Sequence, residues 1–207
     1  MKQTVAIFIL IVLFVGPSHG QVGFGLTGGV NFATVGGADV PSGLNTLTGF
    51  VAGAYLEFPH ISQPLLSLQP EILYTMKGYI PINQSFSANG STFTAKVTAS
   101  LNYLEIPILI KYKLSTSEVK PPLFVGPTLG ILLIGKMKSE ATGSATEETD
   151  IKSKTRDTDW GIVLGASANV AIVRVNARYT LGESTLEYGD MTKVYNRVLS
   201  LMLELPM

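Results

Sequence analysis

"LNYLEIPILIKYKL", residues 101–114, is the stretch from which the fold can be read. From position 104 on, its even positions, Leu104, Ile106, Ile108, Ile110, Tyr112 and Leu114, are all apolar. The other register holds Leu101, Tyr103, Glu105, Pro107, Leu109, Lys111 and Lys113. Strict period-two alternation specifies a β-strand with two chemically different faces. Whether the apolar face meets a protein core or lipid depends on the rest of the chain.

Working outward, alternation of this kind recurs in eight stretches, roughly 22–34, 48–58, 65–79, 95–114, 122–137, 159–170, 172–182 and 195–205. No segment after Gln21 carries an apolar stripe at helical spacing over a dozen residues. Several stretches reach ten residues or more, beyond the ~5–6 usual for soluble strands. A tilted strand that crosses an outer membrane needs ~9–11 residues. The joints alternate as well: Val35–Leu47, Ile80–Phe93, Lys138–Thr158 and Glu183–Val194 are long. Pro59–Pro64, Ser115–Pro121 and a turn near Asn169–Ala171 are short. Long and short connections in strict turn belong to an up-and-down barrel whose two rims face different compartments.

Composition supports the lipid reading. Only 14% of the residues are charged, against ~25% in ordinary soluble domains. Basic and acidic residues number 15 each, so there is no basic excess of the kind that binds nucleic acid. There is no cysteine, which rules out both structural disulfides and a lipoprotein anchor. At the start, Lys2 precedes an apolar block from Val5 to Val15, with the small residues Ser18 and Gly20 behind it. That pattern is expected to be a secretory signal peptide over residues 1–20, because the block falls short of the ~20 residues of a spanning helix. Residues 21–207 are then expected to form one β-barrel domain.

The faces can be read strand by strand. Leu66, Leu68, Pro70, Ile72, Tyr74 and Met76 oppose Ser67, Gln69, Glu71, Leu73, Thr75 and Lys77. Val173, Val175, Ala177, Tyr179 and Leu181 oppose Arg174, Asn176, Arg178 and Thr180. Leu199, Leu201, Leu203 and Leu205 oppose Ser200, Met202 and Glu204. Tyr55 and Glu57 face away from the apolar side of the second strand, whereas the fifth, Leu123–Ile134, is apolar on both sides and cannot be oriented by pattern. A solvated surface would carry many more charges than these polar faces do. An eight-stranded barrel is only wide enough for its own side chains, and charges enclosed there must be paired. Glu57, Glu71, Glu105 and Glu204 balance Lys77, Lys111, Arg174 and Arg178, as such an interior requires. Phe24, Phe32, Phe58, Tyr74, Tyr112, Trp160, Tyr179 and Tyr195 fall near the ends of the apolar bands, where girdle residues belong.

With these features in place, "GLTGGVNFATV" (25–35), "LSLQPEILYTMKG" (66–78), "LNYLEIPILIKY" (101–112), "LFVGPTLGILL" (123–133), "DWGIVLGASANV" (159–170) and "VNARYTLG" (175–182) resemble the PorT-type outer-membrane β-barrel family of Gram-negative bacteria. The resemblance covers essentially all of the chain beyond the leader. It implies an eight-stranded barrel without known enzymatic activity; one namesake member of the family is tied to a secretion system for surface proteins. Family members generally end on an aromatic residue that the insertion machinery reads. This chain departs from that pattern, ending Leu203-Glu204-Leu205-Pro206-Met207.

Chemical motifs are few. "GILLIGKM" (130–137) nearly spells a phosphate-binding loop, but Met137 stands where Ser or Thr should meet magnesium, and the stretch lies within a strand. His19 belongs to the leader and His60 stands alone in a short joint, so neither a histidine-based metal site nor a Ser-His-Asp triad is expected. Glu71 and Glu105 could resemble an acid/base pair in the lumen; pairing with Lys111, Arg174 or Arg178 is the simpler expectation. Asn83-Gln84-Ser85 and Asn89-Gly90-Ser91 match glycosylation sequons and read here as loop chemistry. Residues 139–159, with six carboxylates against Lys152, Lys154 and Arg156, read as a solvated outer loop.

The sequence therefore specifies an all-β, eight-stranded antiparallel up-and-down transmembrane β-barrel. It is expected to be structural or adapter-like in the outer membrane, with no catalytic, cofactor-binding or metal-binding residues. The expected surroundings are outer-membrane lipid and envelope or secretion-system proteins. A soluble lipocalin-like barrel, carrying an apolar ligand inside, is the alternative; it requires Ile106, Ile108 and Ile110 to point inward.

Overall fold

In a computed structural model, the chain is described over residues 22–38, 40, 44–59, 65–80, 84–88, 91–113, 121–141, 146–183 and 194–207. The expected leader and His60 lie outside these residues, as do Asn83 and Asn89 of the sequons. Ten strands run in chain order: β1 (Gly23–Gly36), β2 (Asn45–Pro59), β3 (Leu66–Ile80), β4 (Gln84–Ala88), β5 (Ser91–Tyr112), β6 (Leu123–Ala141), β7 (Glu147–Asp150), β8 (Thr158–Val170), β9 (Val173–Gly182) and β10 (Tyr195–Pro206). The helical element among the described residues is a single 3-10 turn at Lys152–Lys154, and no described helix is long and apolar enough to cross a membrane.

The spatial order β5-β3-β2-β1-β10-β9-β8-β6 closes on itself through a β5–β6 ladder, giving an eight-stranded antiparallel barrel. These eight strands are the eight alternating stretches of the sequence. The short strands β4 and β7 pair only with β5 and β6, so this side of the wall rises above the rest at the long-loop end. β7 has no alternation because all four of its residues are exposed; backbone pairing alone makes it a strand.

Burial follows the period-two pattern. On β10, Asn196, Val198, Ser200, Met202 and Glu204 are buried, whereas Leu199, Leu201, Leu203 and Leu205 are exposed. Ile72 at 59% and Ile110 at 51% look outward, while Lys77 and Glu71 inside are each 1% exposed. The apolar faces therefore form the outer surface, and the lipocalin-like alternative is excluded by a lumen that is charged.

Four details depart from the sequence reading. Ile108 lies on the outward register, opposite Pro70, yet is only 2% exposed, so it is covered where Ile110 is open. Tyr74 sits at mid-strand, stacked on Phe50 with ring centroids 5.6 Å apart, and is no girdle residue. The unorientable β6 turns Phe124, Thr128 and Leu132 inward and leaves Leu123, Val125 and Ile131 exposed. Gly130 is on its inner side because the Tyr103 ring lies 3.3 Å from where a Cβ would stand, so the volume there comes from β5. Finally, the β5–β6 register slips by one between Asn102 and Tyr103, a bulge that leaves Leu133 and Ile134 both exposed.

A second irregularity interrupts the β2–β3 ladder between Thr46 and Val51. Asn31 reaches across from β1 and answers it. Its Nδ2 donates to Thr75 Oγ1 at 2.7 Å, to Met76 O at 3.1 Å and to Phe50 O at 3.4 Å. A buried amide thus satisfies carbonyls that the broken ladder would leave bare.

Candidate functional site

The lumen gathers the charged residues into two layers. Nearer the short-turn end, Glu204 on β10 is the hub. Its Oε1 accepts from Asn176 Nδ2 at 2.8 Å and Gln69 Nε2 at 3.1 Å. Its Oε2 accepts from Arg174 Nη1 at 3.0 Å and Lys111 Nζ at 3.3 Å. Arg174 Nη1 also donates to Glu57 Oε2 at 3.0 Å, and Ser67 Oγ to Glu57 Oε1 at 3.0 Å. Arg178 grips Glu71 with two bonds, at 2.6 and 3.2 Å, the bidentate geometry that suits guanidinium. The cations also lie over rings: Lys111 is 5.9 Å from the Tyr55 centroid and Arg178 is 5.4 Å from that of Phe124.

Above it, Lys77 Nζ donates to Glu105 Oε1 at 3.1 Å and to Asp159 Oδ2 at 3.3 Å. Thr128 Oγ1 donates to Glu105 Oε1 at 3.0 Å, and Asn196 Nδ2 to Asp159 Oδ2 at 2.8 Å. Apolar residues pack beside the layers, Leu109 with Phe124 and Val163, and Val51 with Leu73 and Met202. Between the layers a void of ≈ 10 Å³ is lined by Thr75, Lys77, Glu105, Arg178, Thr180 and Ser200 among others. About 10–15 Å³ holds a single water, which is far from a passage for solutes.

All eight charges singled out in the sequence point into this lumen. Glu71 and Glu105 lie in different layers, each held by its own cation. Glu71 takes Arg178, as expected, but Glu105 takes Lys77 rather than Lys111, Arg174 or Arg178. A fifth acid escaped the sequence reading. Asp159, assigned there to a solvated loop, begins the inward register of β8 and is 3% exposed. The alternation Asp159, Gly161, Val163 was the signal that could have found it.

The rest of that loop is not simply solvated either. Ile151 is 4% exposed and packs with Val35, Leu101, Tyr103, Leu132 and Val194 over the long-loop end of the lumen. Its N–H donates to Gly135 O at 3.0 Å, and a Cβ at Gly135 would stand 3.2 Å from the Lys152 backbone. The glycines of the near-miss phosphate loop are therefore contact points in a wall: Gly130 accommodates Tyr103, and Gly135 accommodates the returning chain. Lys136 lies outside and pairs with Glu148 at 2.6 Å. Among the described residues, no group of three or more His, Cys, Asp and Glu side chains is arranged to hold a metal ion.

Comparison with known proteins agrees with this architecture. Residues 16–182 match the family described as outer membrane protein beta-barrel domain. A search of curated proteins returns no match. Among solved structures, the chain is similar to Neisserial surface protein A (NspA), at 12% identity and a TM-score of 0.48, over 90% of this chain and 99% of that one. It is also similar to Ail, the attachment invasion locus protein of Yersinia pestis, in complex with the heparin analogue sucrose octasulfate. There the identity is 14% and the TM-score 0.41, over 89% of this chain and 99% of that one.

Proposed function

The chain belongs to the outer membrane protein beta-barrel domain family, and from that premise we propose that it works by contact, as a structural or adapter protein of the cell envelope. Its place is the outer membrane, and its outward apolar faces meet lipid. The observation that carries the functional reading is the filled lumen. Glu71, Glu204 and Lys77 are each 1% exposed or less and bonded across the barrel, so among the described residues the side chains fill the middle of the lumen and leave no channel through it. What remains for recognition is the long-loop end, where β4 and β7 enlarge the wall, together with the short-turn rim.

The finer parts of the reading are that the barrel is not an enzyme, that it is of PorT type from a Gram-negative cell, that residues 1–20 are a signal peptide, and that residues 21–207 are the barrel domain. The motifs at 66–78, 101–112 and 175–182 and the apolar block at Val5–Val15 support them. Partners are envelope or secretion-system proteins, reached through the rims. Purified protein placed in planar lipid bilayers is expected to give no steady conductance steps. A reproducible open pore would overturn the filled-lumen reading. Crosslinking in intact cells, with identification of the captured protein, tests the adapter role; repeated capture of nothing but lipopolysaccharide and lipid would count against it.

A further inference from the structure

Short turns of an outer-membrane barrel ordinarily end in water. The β8–β9 turn is different. Its tip, Ala171-Ile172, is flanked by Val170 and Val173. Ile172 is 80% exposed and Val170 54%, the former the most exposed large apolar side chain among the described residues. Ala171, at φ 53, is the one described non-glycine residue with positive φ, so the turn sets a strained backbone to hold this apolar tip in place.

The polar neighbours turn away from the tip. Arg174 bends into the lumen mouth to Glu57 and Glu204 at 3.0 Å, and its Nε donates to Asn169 at 3.3 Å. The exposed outer face of β8 runs Trp160, Ile162, Leu164, Ala168, Val170, with no polar residue to mark a boundary before the turn. Ten residue steps of ~3.3 Å, at a strand tilt of ~40°, give a height of about 25 Å. An outer-membrane apolar band is itself about 25 Å tall. With Trp160 at the outer boundary, the hydrocarbon therefore reaches Val170. The β9–β10 register, which sets Arg174 against Glu204, brings Ile172 to the level of Pro206 and Met207, the latter 61% exposed. Around the rim, by contrast, the joints "HISQP" (60–64) and "STSEVK" (115–120) are polar in sequence, and Lys113 is exposed.

We propose that the β8–β9 turn is a membrane-contact element: Ile172 is seated at the boundary between acyl chains and headgroups of the inner leaflet, continuous with the lipid face of β8 and β9. The barrel then meets that leaflet unevenly, deeper at Ile172 than at Lys113. This rests on the outer-membrane reading above, and the chain's single tryptophan separates the two. Wild-type protein is reconstituted into phosphatidylcholine vesicles whose acyl chains carry bromine near the headgroup; quenching of Trp160 reports the membrane reading alone. In a Trp160→Phe background, Ile172→Trp and Lys113→Trp variants are then compared, each first shown to be folded by heat-dependent gel mobility.

The expected result is that lipid bromine removes about half or more of the emission at position 172 while aqueous iodide has little effect, with the reverse at 113. Iodide quenching at 172 without lipid quenching, while Trp160 in the wild type is quenched by bromine, would overturn the proposal and leave the membrane reading intact. Loss of quenching at Trp160 itself would overturn both. Val170→Trp provides a second reporter should the Ile172 variant fail to fold, and it is judged by the same two quenchers.

Discussion

Arg174 and Glu204 are register partners on β9 and β10, and a guanidinium nitrogen of the first lies 3.0 Å from a carboxylate oxygen of the second. The same carboxylate receives Lys111, Asn176 and Gln69, so one acid ties β10 to β9, β5 and β3. Glu204 is fully buried, and so are Lys111, Asn176 and Gln69, so these three partners cannot turn to water if it is removed.

Replacing Glu204 with Ala is expected to destabilise the barrel by about 3–5 kcal/mol, the usual consequence of leaving buried cations unpaired. Urea unfolding in detergent micelles measures it. Glu204→Gln, which keeps the hydrogen-bond acceptor but not the charge, is expected to lose less. An Ala variant within 1 kcal/mol of wild type, a bound set by the worth of an exposed pair, would mean that water or rearranged side chains compensate for the hub.

Lys77 is bonded to both Glu105 and Asp159. Lys77→Met should strand two carboxylates at a loss of about 3–5 kcal/mol. Adding Glu105→Gln and Asp159→Asn should recover most of that loss, since neutral amides tolerate burial better. Unfolding midpoints of the single and triple variants decide this; no recovery in the triple variant would show that Lys77 matters for packing over the Tyr103 ring rather than for charge.

Asn31 donates three bonds into the β2–β3 irregularity. Asn31→Leu should cost about 1–3 kcal/mol through the acceptors it leaves bare. Amide exchange of residues 47–50 should accelerate more than that of β9, and uniform acceleration over both strands would indicate global rather than local weakening.

The outer face can be probed with single cysteines, because the chain has none of its own. Ile110→Cys should react strongly with a lipid-confined label, as its 51% exposure requires. Ile108→Cys should react weakly despite its outward register, being 2% exposed. Equal labelling at both positions would mean that the covering around Ile108 opens in the membrane.

The eight barrel strands were legible because burial on one face and lipid on the other impose period two on almost every one of them. The charge inventory was legible for a related reason: an inward charge in an otherwise apolar alternation is conspicuous, as with Glu105 and Lys111. Asp159 escaped notice because it follows a run of charged residues, which masked its place in the β8 register. β7 escaped because all four of its residues are exposed, and β4 because it is a strand of five residues paired on a single side. Asn31 and the covering of Ile108 depend on breaks and neighbours in adjacent strands. A one-dimensional pattern does not carry them.

The position of Glu204 also bears on assembly. Lys111 on β5 and Arg174 and Arg178 on β9 share one acid, Glu204, which β10 alone supplies. Until β10 pairs with β1 and β9, Glu57 and Glu71 answer Arg174 and Arg178 but Lys111 lacks its acid, which disfavours sealing the wall around it. Docking of the last strand completes the ladder and pairs Lys111 in one step. Barrel closure should therefore be all-or-none, with half-zipped forms made scarce by their own electrostatics.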